Sequence, residues 1–216
     1  MSIPTLVKKP KQFVIAITGP STSERKKLCE ELIKLYGNKA DHFAIIGLDA
    51  YRKRSGLPQT MLRGKMTSNL DLSDSYDVVS FFNCISNTYA PVLLLHGTIL
   101  FAYQQLYTFV DLCINLEYDY QNDYELVLKR RIDNNDCYKG SSIPSDYLQN
   151  PWGPSINYYC AYFHDIVWEE AKNHPEYRRP SNWVKPGMTL SAKSSVSSNS
   201  KQTYNFIDQY VQQYLN

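Results

Sequence analysis

The sequence predicts an α/β fold, three layers deep, with a parallel five-stranded sheet covered by helices on both faces. Three observations carry this. Short apolar runs alternate with segments of helical period along the chain, the pattern of strands joined by helical crossovers. The run Pro91-Val92-Leu93-Leu94-Leu95 is apolar without alternation, as a strand buried on both faces must be. The first strand also leads through Gly19-Pro20 directly into a helix. With 216 residues, 43% hydrophobic and 20% charged, the chain has material for one real core and is expected to form a single domain over 1–216.

Phe13 to Thr18 is the first strand, apolar and partly β-branched. Ser23 to Tyr36 follows as a helix, with Leu28, Leu32 and Leu35 on one side and Gly37-Asn38 closing it. His42 to Leu48 is a second strand. Tyr51 to Leu72 has no clear period and suggests a mobile surface segment. Ser73 or Asp74 can cap a helix running to about Asn87, with Val78, Phe81, Phe82 and Ile85 on one face. After the central run come a strand over Val110 to Leu116 and a helix from about Asn122 to Ile132. Asp133 to Tyr159 reads as a long loop, a lid over about 133–160, and Ala161 to Asn173 as helix again. Met188-Thr189-Leu190 is an edge strand. The serine-rich stretch 191–200 is expected to be flexible, and Phe206, Ile207, Tyr210, Val211 and Tyr214 mark a final helix over about 203–215.

The bulk numbers exclude several classes. A formal net charge of +2 makes no demand for nucleic acid or an anionic membrane as partner. The longest nearly apolar run, Val92 to Ala102, is broken by His96 and Gly97 and is far below the roughly 20 residues of a spanning helix. Met1 to Gln12 lacks the apolar centre of a secretory signal. Five scattered cysteines without a C-x-x-C pair suit reduced thiols better than a disulfide framework or a zinc site, so no metal site of that kind is expected. A cytoplasmic location follows, with the nucleus as the other compartment of that redox state.

The turn between the first strand and the first helix is where a phosphate loop belongs. A working loop reads G-x-x-x-x-G-K-[ST]; here the segment is Gly19-Pro20-Ser21-Thr22-Ser23-Glu24-Arg25-Lys26. Gly19 holds the first glycine position, Glu24 the second, Arg25 the lysine and Lys26 the hydroxyl. Glu24 brings a side chain and a negative charge beside an anion, and Lys26 cannot ligate magnesium as a hydroxyl does. Arg25 keeps the charge but not the compact ammonium. Gly19, Ser21, Ser23, Arg25 and Lys26 are the candidate nucleotide-binding residues, since a helix N-terminus still attracts an anion. The plain alternative is a capped helix start, with Ser21 or Ser23 as the cap.

Taken together, the chain resembles the uridine kinase and nicotinamide riboside kinase group of P-loop nucleoside kinases. Besides the loop, Ile45 to Lys53 (IIGLDAYRK) is similar to their S-x-D-D-F-Y-K strand end, and Asn69 to Asp77 (NLDLSDSYD) to their N-W-D-x-P-x-[SA]-x-D stretch. Val92 to Phe101 parallels their I-I-E-G-x-L-L-F strand, Tyr124 to Arg131 the helix that ends in lid arginines, and Tyr162 to Trp168 their Y-F-D-x-x-V-W segment. The order of the motifs, from Phe13 to Leu215, carries the resemblance more than any single one.

The resemblance implies a P-loop kinase-like fold and a set of roles. Asp49 would be the carboxylate that deprotonates the acceptor hydroxyl or holds magnesium, and Arg130 and Arg131 would face the transferring phosphate. Asp71, with Tyr51 and Tyr162, would bind the acceptor. Bland readings stand beside each: a strand-end turn for Asp49, a helix cap for Asp71, a solvated helix end for the arginines. The departures are Glu24 and Lys26, His96 where the family has an acid, Asn134 or Asn135 at the last lid arginine, and His164 for an aspartate. The connection from Phe82 to Pro91 is too short for the arm that covers substrate in uridine kinases. Since phosphoryl transfer rests on positioned charge and metal, the expectation is a pseudokinase, with ATP and magnesium binding weak or lost and a nucleotide, nucleoside or protein as partner. An active riboside kinase is the alternative. A third reading, a nucleic-acid or protein interaction module, uses the basic stretch Arg52-Lys53-Arg54, Arg63 and Lys65 beside Tyr51, although nucleic acid is not the expected partner.

Overall fold

A computed structural model describes residues 5–20, 24–174 and 178–215. The sheet is built from β1 (Phe13–Thr18), β2 (Phe43–Gly47), β5 (Val92–Gly97), β6 (Leu112–Glu117) and β7 (Gly187–Ser191), in the order β2-β5-β1-β6-β7. Every neighbouring pair is parallel. β1 lies in the middle, with β5 on one side (Ile17 opposite His96) and β6 on the other (Ile17 opposite Ile114).

Pleating divides the side chains of β1 between two cores. Phe13, Ile15 and Ile17 point to one face, where α1 (Arg25–Leu35) supplies Leu28 and Leu32 and α7 (Val196–Val211) supplies Ile207 and Val211. α4 (Tyr124–Asp133) adds Val127 and Leu128 to the same core. Val14 and Ala16 point the other way, against Phe81 and Phe82 of α2 (Val78–Asn87) and Leu106 of α3 (Gln105–Phe109). Helices therefore cover both faces, which is why β1 and β5 are buried along their full length.

Several elements differ from the expectation. Within 51–72, read as mobile, β3 (Gln59–Leu62) and β4 (Lys65–Ser68) form an antiparallel hairpin that turns at Arg63 and Gly64, both at positive φ. α2 begins at Val78 rather than at Ser73 or Asp74. The Asp77 carboxylate caps it by accepting from the Ser80 amide, and Ser73–Ser75 is a separate short turn. In the expected loop 133–159, helix α5 (Ser155–Tyr162) begins early; it continues through a π-helical stretch, Phe163–Trp168, into α6 (Glu169–Asn173). The serine-rich stretch is helical from Val196, well before the expected start at 203. Ser195 caps that helix through the Ser198 amide, and Asn199 and Ser200 are buried.

Candidate functional site

The site lies at the C-terminal ends of β1, β2 and β5, beside the central strand where the chain switches from one half of the sheet to the other. Gly19, at φ 149°, begins the turn after β1. Glu24 follows in the left-handed region, at φ 56° and ψ 30°, a conformation glycine adopts freely and other residues rarely. The backbone thus has, at the second glycine position, the geometry that glycine suits, although the residue is glutamate. Ser21 and Ser23 lie outside the described residues.

Arg25, the first residue of α1, folds back into the turn instead of pointing away from it. Its side chain is 7% exposed. One guanidinium nitrogen donates to the Gly19 carbonyl at 2.7 Å and to the Pro20 carbonyl, and the other donates to Asp49 Oδ2 at 3.1 Å. An anion in this place would meet two carbonyl oxygens that already face a cation. Asp49 stands in the short turn after β2, 40% exposed, with Arg52 a further 3.9 Å away. Lys26 is 73% exposed and reaches Glu30 at 3.7 Å along the helix, so it is turned to solvent.

His96 ends the pairing of β5 with β2, opposite Gly47, on the same rim. It is buried, its Nδ1 has no hydrogen-bond partner among the described residues, and its ring lies directly over Gly47. A Cβ added at Gly47 would come within 2.4 Å of that ring, so glycine is required there by close approach. Burial, and then the Arg25 guanidinium, hold the imidazole pKa down at about 4, with Asp49 acting the other way. The ring is neutral at pH 7 and supplies neither the charge nor the two oxygens of an acid.

A polar chain runs on from Asp49. Arg52 donates to the Tyr76 hydroxyl at 3.0 Å, and burial followed by the Asp49 carboxylate pushes Tyr76 up to about 12. Asp71 is buried nearby, where its amide donates to Asn69 Oδ1 and its carboxylate accepts from the Tyr162 hydroxyl at 3.2 Å. Tyr162 in turn accepts from the Leu70 amide at 2.7 Å. Asp71 and Tyr162 are therefore in direct contact. Tyr51 is not part of this chain: its ring packs edge-on against Phe81 at 5.4 Å, and burial and the Cys84 thiol push its hydroxyl up to about 12.

The arginines of α4 both have partners within the fold. Arg130 donates to the Ala192 and Lys193 carbonyls, at 2.7 and 3.2 Å, and to the Tyr118 hydroxyl, tying α4 to the end of β7. Arg131 is held over the rings of Tyr159 and Phe163, at 5.2 and 5.3 Å. Most of the basic stretch is exposed, and several of its side chains have partners within the fold. Arg63 grips Asp165 through two bonds and the Leu148 carbonyl through a third, Lys53 donates to the Asp74 carbonyl, and Lys65 lies over Trp152.

No protein-family model matches the sequence, and no curated protein does. Among solved structures the chain is similar to a "putative fructose transport system kinase" from Silicibacter sp. TM1040, at TM-score 0.51 and 14% identity, over 85% of this chain and 91% of that one. At that identity the likeness concerns the fold alone. The fold is P-loop kinase-like. Gly19, Glu24 and Arg25 lie on the turn between β1 and α1, with Asp49 and His96 on its rim. Two features of the site could not be read from residue types: the return of Arg25 onto the turn, and the burial that keeps His96 neutral. Among the described residues no group of three or more His, Cys, Asp or Glu side chains is placed to hold a metal ion, and no helix is long and apolar enough to cross a membrane.

Proposed function

We propose that this chain is a pseudokinase of nucleoside kinase type, acting through binding or scaffolding rather than phosphoryl transfer. The observation that carries the reading is the seat of Arg25: its guanidinium is bonded to the Gly19 and Pro20 carbonyls and to Asp49. On this reading an internal cation takes the approach of a nucleotide phosphate. Three further features support it. Glu24 adds negative charge at the turn, Lys26 is spent on Glu30, and His96 is neutral on the rim. The residues present do not fit magnesium nucleotide, because the exposed carboxylate at the rim, Asp49, is already paired with two arginines. Each lost interaction worth about 1.4 kcal/mol in the transition state costs about tenfold in rate.

Calorimetric titration with ATP, with and without Mg²⁺, tests this on the native chain and on a Glu24→Gly, Arg25→Lys, Lys26→Thr variant. The native chain is expected to give no saturable heat at millimolar ATP, and the variant to bind. Binding by the native chain that strengthens with Mg²⁺, or turnover of any member of a riboside panel, would refute the proposal.

One observation favours an active riboside kinase instead. Asp49 stays 40% exposed at the strand end, while Asp71 and Tyr162 keep the paired arrangement expected of an acceptor site. On that reading the native chain phosphorylates nicotinamide riboside or uridine, and Asp49→Ala abolishes the product.

A further inference from the structure

The opposite end of the sheet, where the strands begin, carries a basic groove that no step of the foregoing reading uses. The segment before β1 lies along it, and its walls include Lys8, Lys9, Lys11, His42 and Tyr214. The hollow holds about 640 Å³ and continues, past Lys9 and Lys11, into a second of about 230 Å³ beside Tyr89. Among the described residues no carboxylate lines either hollow. Lys9 and Lys11 give the groove its positive charge, while Lys8 is offset in part by an ion pair with Asp111, and the whole chain carries only +2.

The groove is preformed. Lys8 is anchored by an ion pair with Asp111, and Lys9 donates to the Thr88 carbonyl at 2.6 Å. The buried Gln12 donates to the Ala90 carbonyl at 3.0 Å, fixing the chain as it enters β1. An ammonium has three donors, so Lys8 and Lys9 each keep hydrogens for a ligand. Lys11 is exposed and held at φ 58°, directed by the turn that ends at Gln12. A wall whose side chains are already ordered loses little freedom when a partner docks.

Single-stranded nucleic acid needs a row of open ring faces on which successive bases can stack. Tyr214 packs against Phe13 at 5.2 Å, and Tyr89, although 86% exposed, carries the Lys9 ammonium 3.4 Å over one face, so the described lining offers one open ring face and no row of them. A concave groove likewise does not fit a flat anionic membrane. We propose that this groove docks an acidic, extended segment of a partner protein, its carboxylates meeting Lys8, Lys9 and Lys11. The proposal is independent of whether the phosphate turn binds nucleotide, because the two places lie at opposite ends of the strands.

The test is fluorescence anisotropy of the full chain with a labelled peptide of about eight residues, an extended reach of about 25 Å, carrying glutamate at alternate positions. Saturable binding that weakens with salt is expected. Lys11→Glu should weaken it at least about tenfold and Lys11→Gln about threefold, with circular dichroism unchanged in both. Lys201→Glu, an exposed charge on α7 that lines neither hollow, should leave it unchanged. Absence of saturable binding at about 1 mM peptide, or equal weakening by Lys201→Glu, would overturn the proposal. So would tighter binding of a single-stranded oligonucleotide or of phosphatidylserine vesicles through the same lysines.

Discussion

Glu24 sits at φ 56° and ψ 30°, where a side chain with a Cβ costs about 1–2 kcal/mol relative to glycine, so Glu24→Gly is expected to stabilise the chain. The opposing losses are small. The Glu24 carboxylate does not cap α1 through a side-chain hydrogen bond, and its ion pair with Lys27, at 2.6 Å, joins a lysine that is 61% exposed. Such an i,i+3 pair contributes about 0.2–0.5 kcal/mol. The net expectation is a gain of about 0.5–1.5 kcal/mol, or about 1–5 °C in Tm for a chain of this length. Urea and thermal unfolding would measure it, with Glu24→Ala as the comparison. Alanine loses the ion pair and keeps the Cβ, so it should lower stability by a few tenths of a kcal/mol. If glycine destabilises, or if the two substitutions act alike, the left-handed strain is not real and the match between this turn and a phosphate loop loses its structural basis.

Arg25→Ala removes the donors that the Gly19 and Pro20 carbonyls and Asp49 share, and should cost about 2–3 kcal/mol in urea denaturation, since the side chain is only 7% exposed. Gly47→Ala forces a methyl to within 2.4 Å of the His96 ring and should cost about 1–3 kcal/mol; His96→Ala in the same chain should recover most of that loss, which a double-mutant cycle would show. His96 has its folded pKa at about 4, below the ordinary 6.5, so protons bind the unfolded chain first and its contribution is complete above pH 6.5. That contribution falls as pH drops from 6.5 to about 4, by about 2–3 kcal/mol in all. A His96 imidazole resonance that titrates near 6.5 in the native state would contradict it.

The parts of this molecule that the sequence reveals are those in which burial leaves a pattern in residue types. Val92 to Leu95 could only be a central strand, and Phe13 to Thr18 could only feed a turn ending at Gly19. The hairpin was illegible because only Leu62 of its eight strand residues is buried, leaving no alternation to detect. The first turns of α7 were read as flexible because serine marks loops as often as caps. Ser195 is indeed a cap, but Asn199, Ser200 and Thr203 bury polar groups against the fold, which composition cannot announce. At the site, the grouping of Gly19, Arg25 and Asp49 followed from where their strands end. The direction of Arg25 did not, since a guanidinium reaches an incoming phosphate or its own backbone equally well. The bonds of Arg130 to the Ala192 and Lys193 carbonyls are not legible in the sequence, because those carbonyls come from a distant connection.

The π-helical stretch Phe163–Trp168 has a bearing on how chain length is tolerated here. In an ordinary helix, removing one residue rotates everything beyond it by about 100°. A widened turn holds roughly one residue more than the same rise needs, so tightening it to normal pitch would offset that rotation. Tyr162 before the stretch and Glu170 after it, bonded to Asp71 and His174 respectively, are thereby phased through a turn that can absorb the loss of one residue. Of all positions along the rod from Ser155 to Asn173, this is where a single deletion would least disturb the wall that Val167 and Glu170 form beside Asp71.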